Sequence, residues 1–161
     1  MDFLWTPWRY QYVTTAGAAQ ECIFCAAASD QARDRERLVV HRAERNLIML
    51  NRFPYTSGHL MIVPYEHAAD LERVADETLI ELIRLARLSE MHLRALYRPD
   101  GLNLGFNIGH SAGAGIAGHV HLHALPRWVG DTSFMTAIGE TRVLPEALDD
   151  TWQKLQRAFR K

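Results

Sequence analysis

The chain has 161 residues, of which 48% are hydrophobic and 23% charged, with a formal net charge of −1. This length predicts a single domain with a sizeable core, and the composition is that of ordinary globular proteins. The near-neutral charge gives no global basic field for nucleic acid or an anionic membrane. We therefore expect neither as a partner, and an anionic substrate must be held by local groups.

An aromatic arm is expected over residues 1–20, followed by the core over 21–137 and a helical tail over 138–161. The arm should pack across the domain or onto a second subunit, because its large rings would be costly to leave in water. These rings belong to Phe3, Trp5, Trp8, Tyr10 and Tyr12. The arm has no apolar segment of the signal-peptide kind, and no apolar run approaches the roughly 20 residues that span a bilayer, so we expect a cytoplasmic protein.

Only two cysteines occur, Cys22 and Cys25. Their spacing permits a local disulfide, a redox pair or half of a metal site, and a reducing compartment disfavours the structural disulfide. The following stretch, residues 26–37, is alanine-rich and then charged, which predicts a short helix or a loop.

Apolar runs bounded by turn residues predict the first strands of a sheet. They cover residues 38–41, 46–51 and 59–64, with a turn at 42–45. Pro64 is expected to end the third strand. The apolar period then changes to three and four residues, which predicts one long amphipathic helix over 75–97, with Asp76 as its cap.

A further strand is predicted over residues 102–107, then a loop of small residues from Gly109 to Gly115, and a final helix from Pro145 to Lys161. Strands that follow one another in hairpins, with few helices, indicate an α+β fold. We expect an antiparallel sheet of about five strands, one long helix and a C-terminal helix.

Between the small-residue loop and the final helix, histidine alternates with apolar residues. In a strand, His119, His121 and His123 would share one face, and Pro126 would end the strand because it cannot donate a ladder hydrogen bond. Such a face is suited to a metal ion, to a phosphoryl or nucleotidyl group, or to a pH-sensitive surface.

The loop before this strand favours the hypothesis that the histidine face binds a phosphoryl or nucleotidyl group. Glycine and alanine let main-chain N–H groups approach an anion closely. Neutral imidazole is available at pH 7, since its reference pKa is about 6.5, and a phosphoramidate is labile enough to serve as an intermediate.

These motifs carry a family resemblance. His-x-His-x-His followed by two apolar residues and Pro-Arg resembles the signature of the histidine-triad (HIT) superfamily of nucleotide hydrolases and transferases. Asn51 before Gly58-His59, and Asn107-Ile108-Gly109, resemble its nucleotide- and phosphate-binding parts. The sequences WTPWR at 5–9, CIFC at 22–25 and PRWVGDT at 126–132 resemble the bacterial branch that contains diadenosine tetraphosphate phosphorylases.

The resemblance implies catalytic roles for four histidines. His121 would attack the α-phosphorus of an adenine dinucleotide and form a nucleotidyl-histidine. His123 and His59 would hold phosphate oxygens, and His119 would lie beside the site or bind metal. Water or inorganic phosphate would then release the nucleotide. The favoured activity is phosphorolysis of diadenosine tetraphosphate. Dinucleoside polyphosphate hydrolysis, nucleoside phosphoramidase activity and a non-catalytic nucleotide-binding module are the alternatives.

The resemblance also implies a set of substrate contacts. Asn107 and the loop at Gly113, Ala114 and Gly115 would hold the phosphate chain, and Asn51 would touch the ribose. Trp128 would stack on a second base or reach across a dimer. This sequence departs from many family members in the loop itself, which carries no Ser or Gln just before the triad and is one residue longer than in the phosphoramidase branch.

A structural zinc ion and a homodimer are implied as well. The zinc ligands would be Cys22, Cys25, His67 and His119, in a tetrahedral arrangement of two thiolates and two imidazoles. No cofactor is expected to be required for the chemistry. The dimer would join the two sheets edge to edge.

Overall fold

One antiparallel sheet organises the part of the chain that the computed structural model describes, residues 22–132 and 144–160. The elements are α1 (Ile23–Ser29), β1 (Val39–Arg42), β2 (Asn46–Leu50), β3 (Leu60–Pro64), α2 (Asp76–Tyr97), β4 (Gly101–Phe106), β5 (Leu122–Arg127) and α3 (Leu148–Phe159). The predicted α+β fold is confirmed. The predicted aromatic arm, residues 1–20, lies outside the described residues.

The strand order is β1-β2-β3-β5-β4, and every neighbouring pair is antiparallel. Every residue of β2 and β3 is buried, which explains why these strands read as continuous apolar runs rather than as an alternation. A strand shows that pattern when both faces of the sheet are covered.

Different helices pack against the two faces of the sheet. Ile48, Leu50 and Ile62 pack with residues of α2 and α3, such as Leu82 and Leu155. The residues between them in sequence point the other way and pack against α1; they are Leu47, Met49, Met61 and Val63, with Phe24 of α1. This alternation decides the location of the candidate site, because His123 pairs with Met61 across β3 and β5 and so lies on the α1 face.

The long helix α2 was placed correctly, but the prediction of its cap was wrong. Ala75 occupies the N-cap, with extended backbone, and Asp76 is the first helical residue. The carboxylate of Glu66 takes over the capping role by accepting hydrogen bonds from the Ala75 N–H and the Thr78 hydroxyl. Of the helices in residues 22–132 and 144–160, none combines the length and apolar character needed to cross a membrane.

The prediction that Pro126 ends the histidine strand was also wrong. β5 begins only at Leu122 and continues through Pro126 to Arg127. The Pro126 carbonyl accepts a hydrogen bond from the Thr56 hydroxyl, on the side away from β4. In a strand of an antiparallel sheet, the nitrogen and the carbonyl of one residue point to the same side. The N–H that Pro126 lacks would therefore point toward the β3 side, at a position where β3 no longer pairs with β5.

Other boundaries moved by a few residues. The first helix covers Ile23–Ser29, so it includes Cys25, and the last helix begins at Leu148 rather than near Pro145. The indole N–H of Trp152 in α3 donates to the Val39 carbonyl of β1 at 2.8 Å. This bond fixes the C-terminal helix to the edge of the sheet.

Candidate active site

A cavity of about 370 Å³ opens on the α1 face of the sheet. His121 and His123 lie at one end of its lining, together with Asn107, Gly113 and Gly115. Met49, Met61 and Phe24 contribute apolar side chains, and Leu38, Leu50 and Asn51 belong to the β1–β2 side. The volume lies within the range of small-molecule sites.

The cavity runs across the strands rather than along them. Its lining extends from β5, which carries His123, to the residues just before β1, such as Leu38. That path crosses three strand spacings of about 4.8 Å, or about 14 Å in total. The shape is therefore suited to an extended ligand with a polar group at the histidine end, and not to a phosphate ion alone.

The hydrogen bond of His121 assigns its tautomer. Its Nδ1 lies 2.9 Å from the His119 carbonyl oxygen, which accepts and never donates, so Nδ1 carries the proton. Nε2 of the neutral ring then holds a lone pair. Burial lowers the pKa of His121, opposed by the hydrogen bond to His119. The ring is thus neutral at pH 7, with a nucleophilic nitrogen available beside the cavity.

A hydrogen-bonded chain fixes the proton of His123. The Tyr55 N–H donates to Nδ1 of His59 at 3.2 Å, which leaves the His59 proton on Nε2. His59 Nε2 lies 2.9 Å from Nδ1 of His123 and donates to it, so the proton of His123 is on Nε2. His121 and His123 therefore offer different groups: a lone pair on the first and an N–H donor on the second, with ring centroids 4.8 Å apart.

The buried His123 predicts loss of stability in acid. Burial first, and the charge of His121 second, lower the pKa of His123 to about 4. The unfolded chain binds this proton below pH about 6.5, so the stabilisation is complete above that pH and falls until pH about 4. At about 1.4 kcal/mol per pH unit, the loss amounts to about 3 kcal/mol. Denaturant unfolding between pH 8 and pH 4 measures it, and His123→Gln should flatten the profile. His110→Gln, at an exposed position, should not.

His119 lies with the cysteines and not in the cavity. It precedes the regular part of β5, and its Nε2–H donates to the Pro64 carbonyl at 3.0 Å. The lone pair on Nδ1 is left to face the sulfur atoms of Cys22 at 3.4 Å and Cys25 at 3.7 Å. His67 Nδ1 lies 3.1 Å from the sulfur of Cys25. The structure thus brings together all four residues that the sequence suggested as metal ligands.

This cluster has the geometry of a metal site. One ligand atom from each of its four residues lies within 4.8 Å of the others. Tetrahedral zinc with Zn–S of about 2.3 Å and Zn–N of about 2.0 Å requires separations between ligand atoms of about 3.3–3.8 Å. The nitrogen–sulfur distances of 3.4 and 3.7 Å lie within that range, and the third, 3.1 Å, is slightly shorter. Two thiols and two imidazoles are also the donor set that zinc prefers.

The small-residue loop bends next to the histidine end of the cavity. Gly109 and Gly113 have φ of 80° and 84°, a left-handed backbone that glycine adopts at little cost. Gly113 and Gly115 line the cavity, whereas Ala114 is buried and its N–H is directed at the Gly109 carbonyl, 3.4 Å away. Ser111 is exposed, so the loop offers main-chain groups rather than side chains to a ligand.

Two other predicted substrate contacts, Asn51 and Trp128, line different cavities. Asn51 lines the cavity, and its Oδ1 accepts a hydrogen bond from the Phe53 N–H, so its amide group faces a fixed direction. Trp128 lines a different cavity of about 640 Å³, whose lining also includes Lys154. Tyr55 lines both cavities.

Comparison with known proteins identifies the family. Residues 32–129, well over half of the chain, match the family model of the HIT domain. The chain belongs to the HIT family. The AP-4-A phosphorylase of Mycobacterium tuberculosis is 38% identical to this HIT protein over 154 residues, which cover 92% of this chain and 79% of the relative. An uncharacterized HIT-like protein of Saccharolobus solfataricus is 30% identical over 114 residues, 71% of this chain and 79% of that one.

Solved structures agree with the fold of this HIT protein. A Zn-bound histidine triad family protein from Mycobacterium smegmatis superposes with a TM-score of 0.68 at 27% identity, covering 87% of this chain and 94% of that one. A member of the HIT family from Bacillus subtilis gives a TM-score of 0.62 at 27% identity, covering 81% and 86%.

Several lining residues of the cavity were missed from the sequence. Met49 and Met61 form part of its apolar wall, and Phe24 and Tyr55 bring aromatic rings to the histidines. Side chains in β2 and β3 alternate between the two faces of the sheet, and this alternation places both methionines on the cavity face. The sequence does not reveal which face is which because both faces of these strands are apolar.

Proposed function

We propose that this HIT protein cleaves adenine dinucleotides at the α-phosphate through a nucleotidyl-histidine on His121, with phosphorolysis of diadenosine tetraphosphate as its reaction. The observation that carries the proposal is the lone pair on Nε2 of His121 beside the cavity, set by the bond from Nδ1 to the His119 carbonyl. The relative named AP-4-A phosphorylase supports the choice of substrate.

In the first step, Nε2 of His121 attacks the α-phosphorus and the bond to the bridging oxygen breaks. The electron pair leaves with that oxygen, so diadenosine tetraphosphate releases ATP. The Nε2–H of His123 is the donor available to a phosphate oxygen near His121. The substituted imidazole becomes a cation, which the His119 carbonyl stabilises because it already accepts the Nδ1–H.

In the second step, an oxygen of inorganic phosphate attacks the same phosphorus and His121 leaves as a neutral ring. The product is ADP, whereas attack by water would give AMP. The adenylylated ring of His121 is a cation and the buried ring of His123 is neutral, so neither presents a negative charge to an anionic second reactant. The loop at Gly113 and Gly115 contributes main-chain groups on the same side.

We propose zinc as the metal of the Cys22–Cys25–His67–His119 cluster, with a structural role. Bound there, zinc would supply a rigid tetrahedral cross-link and no reactive group. His119 has its Nε2–H on the Pro64 carbonyl, a partner that holds the ring and leaves Nδ1 for the metal.

Product analysis with and without phosphate tests the reaction. Incubation of the protein with diadenosine tetraphosphate and labelled inorganic phosphate should give ATP and labelled ADP in equal amounts. Omission of phosphate should suppress ADP. AMP formed at the same rate in both mixtures would instead identify a hydrolase, and cleavage of adenosine phosphoramidate alone would identify a phosphoramidase.

We also propose that the chain acts as a single domain, forms a homodimer and works in the cytoplasm. β4 is an edge strand with Leu104 45% exposed, and an unpaired edge can pair with a second copy. Light scattering after size-exclusion chromatography should give twice the chain mass for a homodimer.

The cytoplasm is the proposed location because thiolate ligands persist in a reducing compartment.

A further inference from the structure

Phe24 connects the metal cluster to the proposed nucleophile. The residue lies between Cys22 and Cys25 in sequence, on the first turn of α1, and it is 1% exposed. Its ring centroid is 5.3 Å from that of His119 and 4.7 Å from that of His121. Phe24 also lines the nucleotide cavity. One ring therefore contacts a metal ligand, the nucleophile and the substrate space.

The rings packed around the His121 imidazole determine how firmly its orientation is held. The hydrogen bond from Nδ1 to the His119 carbonyl fixes one atom of the ring, yet rotation about the Cβ–Cγ bond would exchange the places of the ring nitrogens and carbons. The Phe24 ring, tilted by 51° to the imidazole, occupies the space on one of its sides. His123 occupies another, at an interplanar angle of 69°.

The position of Phe24 depends in turn on the cluster. Cys22 is the N-cap residue of α1 and Cys25 is in its first turn, so the two sulfur atoms hold the backbone on both sides of Phe24. α1 has seven residues, too few for a helix that is stable by itself. Tertiary contacts must therefore fix it: the cluster and the buried ring at its N-terminal end, and hydrogen bonds from Arg42 to the Ala27 and Ala28 carbonyls at its C-terminal end.

We propose that Phe24 is a positioning residue for His121, and that its ring holds the imidazole with Nδ1 on the His119 carbonyl and Nε2 toward the cavity. This inference rests on the proposed function, since it assumes that His121 is the nucleophile. It assigns α1 a role beyond metal binding: the helix transmits the geometry of the cluster to the reacting nitrogen.

Two substitutions of Phe24 test the role. Phe24→Leu removes the planar ring, and Phe24→Met fills about the same volume with a longer, flexible side chain that adapts to the gap, which protects the test if the first variant fails to fold. Both should lower kcat by about tenfold to a hundredfold, the usual cost of a misplaced reacting group, and change KM by less than kcat. Ile23→Ala, which removes apolar lining from the same cavity, should change KM by the larger factor.

A second measurement needs no turnover. Long-range proton–nitrogen spectra of labelled histidine at pH 8 report the tautomer of His121, with zinc content measured on the same samples. The wild type should show the Nδ1–H form alone, and Phe24→Met a mixture at unchanged zinc content. A single Nδ1–H form in both Phe24 variants, or unchanged kcat, would overturn the proposal. If the wild type lacks turnover, the proposed function fails, and the spectra still decide whether Phe24 orients His121.

Discussion

Replacing His121 with asparagine is expected to lower kcat for diadenosine tetraphosphate by about a thousandfold or more, because the attacking nitrogen is removed. The asparagine amide can still donate to the His119 carbonyl, which accepts from Nδ1 of His121 at 2.9 Å in the present structure. The cavity should therefore keep its shape. AMP binding, measured by calorimetry, should change by no more than a few-fold, and zinc content should be unchanged.

The matched control is His92→Asn. His92 lies on α2 with its ring 4.6 Å from that of Phe159, on the face of the sheet opposite the cavity. Its substitution should leave kcat unaffected. Trapping the adduct adds a direct test: acid-quenched wild-type protein incubated with labelled substrate should carry one adenylyl group on a histidine, and His121→Asn none. Turnover of His121→Asn at the wild-type rate would rule out this nucleophile, whereas absence of turnover in the wild type would leave a binding module as the better description.

Local patterns in the sequence predicted the fold, and the resemblance of its motifs to a known family implied the metal cluster. Alternation and apolar periods located β1 to β4 and α2 to within a residue or two, whereas the histidine strand begins three residues later than predicted. The four candidate ligands came from motifs far apart in sequence, and the structure brings their ligand atoms within 4.8 Å. Sheet pairing explains this, because β3 and β5 are neighbours and place Pro64 and His119 side by side.

Two features could not be read from the sequence because they depend on how distant segments meet. Strict alternation would put His119 on the same face as His121, yet regular pairing starts only at Leu122, and the segment before it turns His119 toward the cysteines. Likewise, the cap of α2 comes from Glu66, nine residues before Ala75, and no local motif marks it. Trp128 follows its strand closely but faces another cavity.

Removing one thiolate from the cluster is expected to have the largest effect on stability. Cys25→Ser should lower the zinc content from about one ion per chain to a small fraction, because serine is a poor zinc ligand. With the cross-link lost, we expect a decrease of about 3 kcal/mol in the free energy of unfolding, or about 6–12 °C in the thermal midpoint for a chain of this size. Metal analysis and thermal unfolding measure the two effects.

Chelation separates loss of metal from loss of packing. A chelator should lower the midpoint of the wild type to that of Cys25→Ser and leave the variant unaffected. Ser29→Ala, at the end of the same helix, should keep both zinc and midpoint, because the Ser29 hydroxyl donates locally to the Ala26 carbonyl of its own helix. If the wild type binds no zinc, or if the chelator leaves its midpoint unchanged, the cluster is a set of partly buried thiols with one buried and one exposed imidazole. α1 would then be held by Phe24, the surrounding apolar contacts and the hydrogen bonds from Arg42 to the Ala27 and Ala28 carbonyls.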